Sequence, residues 1–123
     1  MRGLIREVAK ILYGKTDVPS ISKARHLVQT YNIYVAKKLL MENGVEESIR
    51  GKTKGYWQAL LKYLLPVEWA VWRKYVAEGK VPESEDAFYD DVMAEFKANA
   101  LFQKFYNKMI EAINKIKEEV GVA

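Results

Sequence analysis

The sequence predicts an all-α fold of four to five helices, a helical bundle with a basic N-terminal helical arm and a long kinked central helix. Three observations predict it. Apolar residues recur at steps of three and four along most of the chain, the period of a helix. Helix-breaking residues are few, with 7 Gly and 3 Pro in 123 residues, and most of them separate the periodic stretches. No stretch reads convincingly as a strand. A chain of this length, half hydrophobic, is long enough for a core and simplest as one all-helical domain, residues 1–123, with 1–19 as its extended helical arm.

Met1 to Tyr13 has Leu4, Ile5, Val8, Ile11 and Leu12 on one helical face. Arg2, Arg6 and Lys10 stand four apart and form a basic ridge beside it. Gly14 suits a left-handed cap, and Lys15 to Pro19 is a linker. Ser20 or Ser22 then caps a second helix that reaches Asn43 and stops at Gly44. Its expected buried face is Ala24, Leu27, Val28, Tyr31, Val35 and Leu39. Val45 to Lys54 is a connection.

Between Gly55 and Gly79 lies the stretch that organises the chain, holding all three tryptophans. Trp57, Leu60, Leu61, Leu64, Leu65, Trp69, Trp72 and Val76 share one helical face. The spacing runs straight through Pro66, which lacks a backbone donor and crowds the preceding turn, so a kink or break is expected at Leu64–Leu65. Lys80-Val81-Pro82 interrupts the chain, and Ser84 caps a helix whose first turn carries Glu85 and Asp86, matching the helix dipole. Phe88, Val92, Met93 and Phe96 form its apolar face. Phe102, Tyr106, Met109, Ile113, Ile116 and Val120 then alternate steps of four and three, a heptad seam suited to self-association. From Ser84 to Glu119 the chain is either one helix or two with a bend near Asn99.

Composition excludes several chemistries. With no cysteine there is no disulfide framework, thiolate metal site or cysteine nucleophile, and a single histidine, His26, rules out a multi-histidine metal cluster. No segment reaches the roughly 18 uninterrupted apolar residues of a membrane helix. The charges at Arg2, Arg6, Glu7 and Lys10 argue against a signal peptide. The string GKT occurs at Gly14–Thr16 and Gly51–Thr53, but a phosphate loop needs a glycine five positions earlier, where Ala9 and Glu46 stand, and a preceding strand. The acidic residues Glu83, Glu85, Asp86, Asp90, Asp91 and Glu95 could offer oxygen ligands to a metal, yet they crowd one helix whereas metal sites converge from several elements. His26 has no serine or carboxylate at a partner spacing. The expectation is a non-enzyme with no cofactor and no metal.

Charge is unevenly distributed. Residues 1–80 carry 15 basic and 7 acidic side chains, a net +8, whereas residues 81–95 carry 6 acidic and none basic, a net −6. A basic body with one acidic patch suits an anionic partner, or copies of itself meeting plus to minus. The candidate nucleic-acid contacts are Arg2, Arg6, Lys10, Lys15, Lys23, Arg25, Arg50, Lys52 and Lys54, with Gly51 and Gly55 letting backbone amides approach a phosphate. Such contacts grip the backbone without reading bases. Aromatics among basic residues, Tyr63, Trp72, Arg73, Lys74 and Tyr75, could stack on bases, but their helical spacing favours a core.

The basic N-terminal helix RGLIREVAKILYGK, the second helix set off by Pro19 and the aromatic-rich helical remainder together resemble the major coat proteins of filamentous archaeal viruses. That resemblance spans the whole chain and is architectural. It implies a small helical subunit that wraps nucleic acid, with double-stranded DNA as the expected partner, and that assembles with itself or a related subunit into a helical filament. Arg2, Arg6, Lys10, Lys15, Lys23 and Arg25 would then face the nucleic acid, and the virion would be its location. The alternative is a cytoplasmic protein–protein interaction module or regulator that docks a partner on the seam from Phe102 to Val120.

Overall fold

A computed structural model of the chain describes residues 21–45, 54–78 and 82–119. These form four helices and no strand: α1 (Ile21–Glu42), α2 (Lys54–Glu78), α3 (Glu85–Ala98) and α4 (Ala100–Glu119). The expected helix Met1–Tyr13, the linker after it and the connection at residues 46–53 lie outside the described residues.

Each described helix end has a local cause. α1 ends in a Schellman motif: Gly44 takes φ +85°, its N–H donates to Met41 O at 3.1 Å, and Val45 N donates to Leu40 O at 2.9 Å. Val45 and Leu40 are both buried, the apolar contact that accompanies this cap. α3 starts where Ser84 Oγ accepts from Ala87 N at 3.0 Å, with Glu85 and Asp86 in the first turn. Between α3 and α4 the single residue Asn99 is extended, φ −141° and ψ 129°, and its Oδ1 accepts from Leu101 N at 2.8 Å. The chain after Ser84 is therefore two helices, and one asparagine both ends the first and caps the second.

α2 runs unbroken through Pro66, so the break considered for Leu64–Leu65 does not occur. Pro66 is exposed, on the side of α2 away from its sealed arc. The buried arc of α2 differs from the stripe of large side chains. Leu60, Leu64, Val67, Glu68, Val71 and Trp72 are sealed, while Leu61, Leu65, Trp69 and Val76 are half-buried at the margins. The arc is set by what closes over the helix: α2 packs on all three other helices, most extensively on α4.

Trp72 is the junction. Its ring lies 4.7 Å from that of Phe88 on α3, and Tyr31 on α1 meets both edge-on, at 5.4 Å from Trp72 and 5.8 Å from Phe88. Such aromatic pairs contribute about 0.5–1.5 kcal/mol each beyond the area they bury. Farther along, Tyr63 of α2 packs on Phe105 of α4, and Phe96 of α3 on Tyr106. Val28, Val35, Ala36, Leu39 and Leu40 complete the core from α1.

Candidate functional site

The nine basic residues expected to meet nucleic acid fall into two groups. Arg2, Arg6, Lys10, Lys15, Arg50 and Lys52 lie outside the described residues; Lys23, Arg25 and Lys54 are placed on helices, with their side chains outside the description. Lys54 is the first residue of α2 and Lys23 lies in the first turn of α1, and neither first turn holds an acid. α3 shows the opposite arrangement, with its own acids in place.

Half of the acidic segment is engaged within the chain. Asp86 accepts from Lys38 Nζ at 2.8 Å and from the Tyr34 hydroxyl, both on α1. Asp91 accepts from the Tyr75 hydroxyl and Glu95 pairs with Lys74, both on α2. In the reverse sense, Tyr89 of α3 donates to Glu42 of α1 at 2.6 Å, and Lys38 Nζ also sits 4.5 Å above the Tyr89 ring. The hydrogen bond from Lys38, then that from Tyr34, holds the Asp86 carboxyl below its ordinary value. Burial, then the bond to Asp91, pushes the Tyr75 hydroxyl well up, and burial with the bond to Glu42 does the same to Tyr89. Three carboxylates of the acidic segment thus act as clamps on α1 and α2, and Glu83 and Asp90 stand exposed. No group of three acids or histidines among the described residues is placed to hold a metal ion.

The heptad seam is covered by the chain itself. Met109, Ile113 and Ile116 are sealed in the core, and Phe102 and Tyr106 are half-buried against Phe105 and Phe96. The described part of the seam is thereby occupied by the chain's own helices; among the described residues the large apolar side chains that stand exposed are Met41, Leu101 and Ile33. Among the aromatics considered for base stacking, Trp72 is sealed and Tyr63 and Tyr75 are engaged by Phe105 and Asp91. His26 is exposed.

Two grooves open on the surface. One, of about 400 Å³, lies between α2 and α3 and brings Lys74, Tyr75 and Glu78 opposite Asp91 and Glu95. The other, of about 410 Å³, has Tyr89, Met93, Phe96 and Tyr106 as its apolar wall and Glu42, Lys97, Gln103 and Asn107 as its polar groups. Neither gathers a nucleophile, a base and an orienting group in the manner of an acyl-transfer site.

Sequence reasoning passes over one group. Glu68 is 0% exposed in the core, and neither carboxylate oxygen has a hydrogen-bond partner. Burial pushes its carboxyl well above the ordinary value of 4.5. The signal was its spacing, one turn after Leu64 and one before Trp72, a position on the buried arc that charge alone obscures. Asn32 is the second buried polar side chain among the described residues, and it accepts from the Trp72 indole at 3.0 Å.

Comparison with models of protein families, with curated proteins and with solved structures finds no match to this chain. No helix among the described residues is long and apolar enough to cross a membrane.

Proposed function

We propose that this protein is a structural subunit, not an enzyme, that binds the nucleic acid backbone without sequence preference and self-assembles into a helical nucleoprotein filament, as a viral coat protein located in the virion. The observation that carries the reading is the division of charge. The first 80 residues hold 15 basic side chains against 7 acidic, and one of those 7, Glu68, is buried in the core, where burial raises its carboxyl well above its ordinary value. Three of the six acids in the segment that offsets them, Asp86, Asp91 and Glu95, are engaged at the surface by Tyr34, Lys38, Tyr75 and Lys74 of the same chain, which limits their competition with phosphate for the other cations. Nothing in the sequence matches a base-reading element, so the contact is with phosphates, and double-stranded DNA is the expected form. Exposed Met41, Leu101 and Ile33 offer apolar surface to a second copy. A protein–protein module docking through the C-terminal seam is less well supported, because Met109, Ile113 and Ile116 already fill the chain's own core.

The test is electron microscopy of the purified protein with and without duplex DNA of unrelated sequences, at low and high salt. Regular filaments that incorporate DNA at low salt, with equal affinity for each duplex, are the expected result. Monodisperse particles indifferent to DNA at low salt overturn the reading.

A further inference from the structure

We propose that Glu68 is a pH-operated switch in the core: the helices close around its neutral carboxylic acid, and loss of the proton drives the core open. The geometry carries this independently of any nucleic-acid role. Glu68 lies near the middle of α2, between Leu64 and Trp72 on successive turns, and all three are 0% exposed. Both oxygens lack a donor. An isolated carboxylate sealed from water and unpaired is far costlier than its neutral acid, so the proton and the closed core are thermodynamically linked.

The groups around it leave the charge uncompensated. On the buried faces of α1, α3 and α4 the one titratable side chain among the described residues is Tyr89, whose hydroxyl is held by Glu42. Asn32 is engaged by the Trp72 indole. At the half-buried margins stand Tyr31, Tyr34, Lys37 and Lys38 on α1, Glu85 and Glu95 on α3, and Tyr106 and Lys117 on α4, with Tyr63 and Tyr75 on α2 itself. None of them donates a hydrogen bond to Glu68, whose two oxygens are both without a partner.

The sign follows from where the proton sits. The unfolded chain releases it near the ordinary 4.5, while the folded core retains it to higher pH. Above 4.5 unfolding therefore releases a proton, and rising pH favours the open state by up to about tenfold in the equilibrium constant per pH unit. The closed core is favoured in acid and loosened towards alkali.

The experiment is urea denaturation of the full chain from about pH 4 to about pH 9, comparing the wild type with Glu68→Gln and Glu68→Leu. Relative to both variants, the wild-type unfolding constant should climb with pH by up to about tenfold per unit. Glu68→Leu, which removes the buried polar group, should be more stable than the wild type at neutral pH. Parallel pH profiles for all three proteins overturn the proposal. Should Glu68→Gln fail to fold, carbon-13 NMR of glutamate carboxyls in the folded wild type decides: a Glu68 carboxyl still protonated at neutral pH supports the switch, and one that ionises near its ordinary value with the fold intact overturns it.

Discussion

The indole Nε1 of Trp72 donates to Oδ1 of Asn32 at 3.0 Å inside the core, tying α2 to α1. A tryptophan carries one donor, and this bond satisfies it where water cannot. Asn32→Leu keeps the volume roughly constant but strands that donor, so a loss of about 1–3 kcal/mol is expected in urea denaturation. Adding Trp72→Phe should cost less in the Asn32→Leu background than in the wild type, because the two residues act as one unit. Simple additivity would mean that the bond contributes nothing to stability.

Two short side chains hold the ends of α3 and α4. Ser84→Ala and Asn99→Ala each remove an acceptor from first-turn amides and should each cost about 1 kcal/mol. Ser84→Asp should recover most of the loss, since it retains an acceptor and adds favourable charge at the N-terminus. Thermal denaturation of the four proteins checks this, with the aspartate variant separating a capping effect from a general surface effect.

Gly44 tests backbone strain by itself. A Cβ there would meet Lys117 Nζ at 3.8 Å and Cε at 3.9 Å, ordinary contact, so crowding is not the issue. At φ +85° an L side chain is strained, and Gly44→Ala should cost about 1–2 kcal/mol. Gly44→Asn should cost less, because asparagine tolerates the left-handed region. Equal stability of the alanine variant in urea would mean that α1 ends differently in solution.

The ends of the helices are legible in the sequence because Gly44, Ser84 and Asn99 act locally, through their own backbone and the next few amides. The facing of α2 is not, because it depends on what covers the helix. Size points to Trp69, while the neighbours close over Val67 and Val71. Glu68 shows the same limit more sharply: its position on the helical repeat places it inside, while its charge suggests the surface. The clamps on α3 are also hidden, since Tyr34 and Asp86 are 52 positions apart and meet only once three helices are packed. The basic residues are legible as composition and spacing.

The Asp86 clamp sets a pH dependence opposite to that of Glu68. Hydrogen bonds from Lys38 and then Tyr34 hold the Asp86 carboxyl below its ordinary 3.8, so its contribution is present above that value and lost as pH falls through the folded value. Lys38 is held above 10.5, chiefly by its hydrogen bond to Asp86, so its contribution is present below 10.5 and lost as pH rises through the folded value. Asp86→Asn should therefore destabilise the protein between these limits and match the wild type in strong acid. The pair is solvent-exposed, so the difference should also shrink with added salt. NMR titration of Asp86 alongside urea midpoints checks both statements; an ordinary carboxyl value would mean that the clamp is loose in solution.

The nucleic-acid reading makes a quantitative statement about which cations count. For duplex DNA, the logarithm of affinity falls with the logarithm of salt concentration by about 0.9 for each phosphate neutralised. Replacing Arg2, Arg6 and Lys10 together by glutamine should reduce that slope by about 2.7 if all three touch phosphate. Lys74, by contrast, has its ammonium paired with Glu95 against α3, and Lys38 is divided between Asp86 and the Tyr89 ring. Lys74→Gln, which removes one positive charge, should leave the slope unchanged, whereas removing any one of the three ridge cations should reduce it by about 0.9. A slope that responds equally per charge removed in both sets would mean that DNA senses only net charge. A slope that responds to Lys74 alone would move the contact surface to the groove between α2 and α3, away from the N-terminal ridge.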